Sequence, residues 1–167
     1  MTNEQIIQFW GRDALVRWRP DVLSTTGLPK EAKGFLATVG LPRGVDWTMR
    51  FELEMDKITR LKEHPGYYII GYDDVVPICL DENGNGRVVS VESDGRERFM
   101  NSNVQLLGEF LVLYQQYRLA ARKLDGEAIE SVITKVEQQM MAHDRASVSG
   151  DECVWHIIIE QMKAGLL

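Results

Sequence analysis

Between Asp46 and Met100 the apolar residues recur with a period of two, and from Val104 to Met162 they recur every three or four positions. Strands therefore come in one block and helices in another, which argues for an α+β fold and against alternating βαβ units. Trp47, Met49, Phe51, Leu53 and Met55 alternate with Thr48, Arg50, Glu52 and Glu54, the pattern of a strand with one buried and one wet face. Pro65-Gly66 reads as a turn before Tyr67–Tyr72, which is apolar on both faces and so central. Asp73-Asp74 reads as the next turn. Val76–Leu80 and Arg87–Val91 then form a hairpin across the Gly/Asn-rich link Asp81–Gly86, and Asp94-Gly95 leads to a short strand at Arg98–Met100. The expectation is a mainly antiparallel sheet of about five strands, packed against N- and C-terminal helices.

Two short helices precede the sheet. Thr2, with Gln5 three residues on, makes a capping box for the first, and Gly11 ends it. Pro20-Asp21 reads as a turn. The second runs from about Lys30 to Val39 and is closed by Gly40-Leu41-Pro42. After the sheet, Asn101 or Ser102 is expected to cap a helix reaching Leu124. Gly126 separates it from another over Glu127–His143, and Ser149 with Glu152 reads as a capping box for a last helix to about Ala164.

A chain of 167 residues reads as one domain, 1–167, large enough to hold a core without disulfides or metals. Its formal charge of −6, with no basic stripe, argues against direct nucleic-acid binding and favours a basic partner. Cys79 and Cys153 make no disulfide framework. No signal peptide and no apolar run of about 20 residues is present, so the expected location is the cytoplasm, away from membranes.

Chemical motifs are sparse. Asp81, Asn83 and Asn85, the Arg87 carbonyl and Glu92 match the spacing of a twelve-residue calcium loop. That loop needs a helix on each side, whereas strands flank this one, and Glu92 on an extended strand would lie roughly 20 Å away at about 3.3 Å per residue. The context favours a hairpin turn. His64, His143 and His156, with Cys153, do not make up a zinc set. Nucleophile elbows and phosphate loops are absent, so the chain reads as a binding protein and not an enzyme, with no cofactor. Carboxylates concentrate in the sheet region. Glu52, Glu54, Asp73, Asp74, Asp81 and Glu82 are the candidates for meeting a basic partner, or else a solvated edge kept unpaired by charge.

Gly27-Leu28-Pro29, Phe35 to Pro42, Tyr68-Ile69-Ile70-Gly71, Ile78 to Asp81, Gly86-Arg87-Val88, Phe99-Met100-Asn101-Ser102, Phe110 and Trp155 stand in an order that resembles the fourth subfamily of SUKH-superfamily immunity proteins. The resemblance spans nearly the whole chain. It implies a strongly bent sheet flanked by helices, and a bacterial protein that binds and blocks a cognate toxin, often a nuclease or nucleic-acid deaminase. The matching residues are fold-builders, so no binding residue follows from them. A regulatory or scaffold module of the same fold is the alternative role, and a monomer or weak dimer the expected state.

Overall fold

Thr2 opens the first helix as its sequence predicts. Its Oγ1 accepts the Gln5 N–H at 3.2 Å, and Gln5 Oε1 accepts the Thr2 N–H at 2.8 Å. Helix α1 spans Asn3–Trp10 and stops at Gly11, whose φ is 79°. The computed structural model describes residues 1–46, 49–51 and 56–167. Strand β1 (Leu15–Val16) pairs antiparallel with β2 (Leu41–Pro42), a ribbon that the periodicity did not reveal. Pro20-Asp21 does not form the expected turn. Pro20 instead starts α2 (Pro20–Ser24), where a missing N–H costs nothing and Asp21 meets the positive end of the helix. Helix α3 covers Lys30–Thr38 and is followed by Gly40 at φ 82°.

The main sheet comprises β3 (Met49–Arg50), β4 (Thr59–Leu61), β5 (His64–Asp73), β6 (Val76–Asp81), β7 (Arg87–Val91) and β8 (Glu97–Asn101). Five strands run in the order β3-β5-β6-β7-β8, all antiparallel, with β4 also paired to β5. Pro65-Gly66 lies inside β5, and the chain turns at Lys62-Glu63 instead. Trp47, Thr48, Glu52, Leu53, Glu54 and Met55 of the expected first strand lie outside the described residues; Met49 and Phe51, which belong to its apolar set, are buried. Register shifts at Arg60/Leu61, Ile69/Gly71 and Val88/Val89 add local twist, and the sheet curls.

Curling leaves both faces of β5 dry. Tyr68, Ile70, Ile78, Leu80, Val88 and Met100 join the helices in the main core, while Tyr67, Ile69, Cys79, Val89 and Val91 form a second cluster on the outer face. Burial pushes the Cys79 thiol up to about 12. A thiol reagent at mildly alkaline pH is therefore expected to modify Cys153 in the folded protein and Cys79 only after denaturant is added. Rapid labelling of both sulfurs would contradict that placement.

Helix α4 (Val104–Ala121) is buried nearly all round, with Phe110 through Tyr114 each inaccessible, because α1, α3 and the sheet pack on it along with α5 (Gly126–His143). It ends before Leu124, which is exposed. Its cap is Asn103, whose Oδ1 accepts the Leu106 N–H at 3.0 Å, not Asn101 or Ser102. Those two face a buried polar cluster instead. Asn101 Oδ1 accepts the Trp155 indole N–H at 2.9 Å, and its amide donates to Asp144 and Ser147 at 3.4 and 3.3 Å. Asp144 also accepts from the Ser102 N–H and hydroxyl, each at 2.8 Å, and from the Ser147 hydroxyl at 2.5 Å. This cluster ties β8 to the end of α5 and to α6 (Val154–Lys163). The capping box expected for α6 does not form: Cys153 holds the cap position, and the Ser149 hydroxyl donates to the Arg145 carbonyl. Among the described residues, no helix is long and apolar enough to cross a membrane.

Candidate partner-binding face

The candidate carboxylates separate into two groups. Asp73 ends β5 and Asp74 begins the β5–β6 turn, whereas Asp81 and Glu82 lie at the far end of β6. Six residues of strand put these groups about 17 Å apart, at roughly 3.3 Å per residue. Glu52 and Glu54 lie outside the described residues.

Asp81 and Glu82 are braces of the fold. Asp81 is buried, with Oδ2 accepting from Arg87 Nε at 2.9 Å and Oδ1 from the Asn83 N–H at 2.9 Å. Glu82 accepts from Arg60 Nη1 at 2.9 Å, the Tyr68 hydroxyl at 2.9 Å and the Gly27 N–H at 3.1 Å, and Arg60 covers the Tyr68 ring. Desolvation pushes the Glu82 carboxyl upward, but the hydrogen bonds from Arg60 and Tyr68 outweigh it and hold the group below its ordinary range. Neither side chain forms a displayed negative patch.

The same contacts bear on the calcium-loop spacing. Asn85 and Gly86 take positive φ values of 56° and 76°, as a tight hairpin turn needs. Arg87 occupies Asp81, and Glu92 stands beyond the opposite end of β7, where it accepts from Arg98 and Arg96, each at 2.5 Å. Hydrogen bonds from Arg98 and then Arg96 hold the Glu92 carboxyl below its usual range. Glu92 thus stands a strand's length from Asp81, which pairs with Arg87 at the start of β7. The histidines are equally dispersed: His64 stacks on Tyr67 at 5.3 Å, His143 meets the buried Glu109 at 2.5 Å, and His156 meets the Val148 carbonyl at 3.2 Å. Among the described residues, no three His, Cys, Asp or Glu side chains are grouped to hold a metal ion.

Arg87 also reaches the Tyr67 hydroxyl and Glu97, each at 3.3 Å, on the outer face. Burial, with Glu97 beside it, pushes the Tyr67 phenol up to about 12. A phenol held protonated in the fold contributes stability that is intact below pH 10 and lost as pH rises through about 12. Unfolding free energy is expected to fall across that window, and less steeply in Tyr67→Phe; equal slopes would contradict the assignment.

One hollow, of about 310 Å³, lies beside the Asn85 turn and is lined by Pro29, Glu31 and Asn103; the others lie toward Asp73-Asp74. The first of these, of about 440 Å³, opens on the outer face between β4 and the β5–β6 and β7–β8 turns, floored by Pro77 and Val91. Val76 and Glu92 also line a second, of about 200 Å³, between the sheet and α6. Ile157 and Gln161 pass from that one into a third, of about 380 Å³, which reaches Leu166. Asp73 lines the second hollow, as its place in the sequence allowed; the α6 contribution had no signal in the sequence pattern. The one legible hint was Val75, an apolar residue set in an acidic turn, which is 78% exposed.

A family model described as SUKH-4 immunity protein matches residues 1–161 of the chain. No curated protein and no solved structure matches it.

Proposed function

We propose that this chain, which belongs to the SUKH-4 immunity protein family, binds a cognate toxin and blocks it, and that the toxin is a positively charged nuclease or nucleic-acid deaminase. The observation that carries the reading is the family match over residues 1–161, which gives the immunity role. The formal charge of −6 supports the sign of the partner. Enzymes that hold phosphate backbones need clustered Lys and Arg, and a negatively charged inhibitor is drawn to such a surface and competes with the substrate for it. Inhibition of this kind calls for a well-packed contact area and no bond-making group.

Co-expression tests the pairing. Cells making the toxin domain encoded beside this reading frame are expected to survive when they also make this chain, and to die without it. Death in both cases would remove the proposed pairing.

A further inference from the structure

The three hollows toward Asp73-Asp74 share lining residues and have an unequal charge lining. Glu63, Asp73, Glu92, Asp151 and Glu160 contribute carboxylates; Glu92 is held by Arg96 and Arg98 and Glu160 by Lys163, so the exposed Glu63 and Asp151 carry the displayed negative charge. Apolar side chains stand out along the same path. Val75 is 78% exposed and Leu166 73%, with Ile157 half-buried between the second and third hollows. Protein interfaces have this composition, with apolar contacts at the centre and a charged rim that sets sign and orientation. Asp74, at φ 52°, turns the chain so that Val75 projects at the tip of the β5–β6 turn.

From these observations we infer that the surface around these three hollows, formed by the β4–β5 turn, the β5–β6 and β7–β8 turns and the outer face of α6, is the surface that docks the toxin, and that the docked region of the toxin is basic. The inference rests on the immunity reading and adds a location to it. Elsewhere on the sheet Asp81 is buried and Glu82 is shared among Arg60, Tyr68 and Gly27, whereas Glu63 and Asp151 on the proposed face are exposed. The carboxylate rim speeds encounter with a cationic surface, an effect that salt screens over about 10 Å at 0.1 M.

The test uses the full chain and the purified toxin domain from the adjacent reading frame. Glu63→Lys/Asp151→Lys reverses two exposed charges on the proposed face, and Glu31→Lys/Glu130→Lys reverses two exposed charges elsewhere on the protein. The first pair is expected to weaken binding at least about 100-fold and to flatten the salt dependence of the association rate, while the second stays within about threefold of wild type. Val75→Arg, at a position with little packing to lose, is expected to weaken binding about tenfold with the thermal unfolding midpoint unchanged. Wild-type binding by the face variants, whatever the Glu31/Glu130 pair does, would overturn the location and leave the immunity reading standing. Absence of binding by the wild-type chain would defeat the immunity pairing itself. A wild-type dimer separated by Val75→Arg would assign the face to a second copy and overturn the inference.

Discussion

Asp144→Ala is expected to lower the unfolding free energy by about 4 kcal/mol, a large share of the roughly 5–15 kcal/mol that a domain possesses. Asp144 is buried, and four donors converge on its carboxylate: the Ser102 N–H, the Ser102 and Ser147 hydroxyls, and the Asn101 amide. Removing the acceptor strands the buried Ser147 hydroxyl and leaves the Asn101 amide with Ser147 alone, while Ser102, an exposed residue, loses two bonds that water can replace. Each stranded buried donor costs about 1–3 kcal/mol, and each lost hydrogen bond to a charged group about 1.5–3 kcal/mol. Asn101→Ala is expected to cost about 3 kcal/mol, because it opens a cavity and leaves the Trp155 indole N–H unpartnered. The double variant is expected to lose well under the sum, since both changes dismantle one network. Urea unfolding checks this through a shifted midpoint at constant m-value. Fully additive losses would show that the two residues act separately.

Gly40→Ala is expected to cost about 3 kcal/mol or more, through a different mechanism. Gly40 adopts φ 82°, and a Cβ there would stand 2.1 Å from the Val16 carbonyl oxygen. That oxygen is backbone in β1, which pairs with β2 immediately after the glycine. Relief requires moving the ribbon that holds the N-terminal segment against α3. Gly11→Ala makes the matched comparison, because Gly11 has a similar φ of 79° and open space around its added Cβ. It is expected to cost about 2 kcal/mol, the strain of a φ/ψ of 79°/144° that only glycine readily adopts, without the overlap. Equal losses at the two positions would show that the close approach at Gly40 contributes nothing.

Local chemistry made several elements readable from sequence. The Thr2/Gln5 capping box and the Asn85-Gly86 turn depend on neighbours within a few residues, and each forms where its residues stand. The break expected at Gly126 falls earlier, because α4 ends at Ala121 and Gly126 is already the first residue of α5. Failures came where one local signal served two structures. Pro20-Asp21 suits both a turn and a helix start, and the contact of this segment with α3 favours the helix. Pro65-Gly66 suits a turn, yet it sits at the start of β5 before the pairing with β6 begins at Tyr67, where proline withholds no ladder hydrogen bond to that strand. The two-residue strands β1 and β2 are too short to carry any period.

The proposed face was less legible because its residues meet through the fold. The charge of Asp81 and Glu82 was visible, but the partners that engage Glu82, Arg60 and Gly27, lie 22 and 55 positions away. Likewise, α6 lines one hollow with Asp73 and Glu92, a neighbourhood set by residues as distant as Asn101 and Trp155, whose hydrogen bond ties α6 to β8. The SUKH signature reflects this division: Asn101, Ser102 and Trp155 build the scaffold, while the rim around Val75 lies outside the matching phrases.

Adding the purified chain in steps to the toxin domain encoded beside it, while following that domain's cleavage or deamination of nucleic acid, tests the central claim most directly. Activity is predicted to fall in proportion to added chain and to vanish at a fixed stoichiometric ratio. Undiminished turnover with the chain in large excess would contradict an inhibitor that works by occupying the toxin's surface.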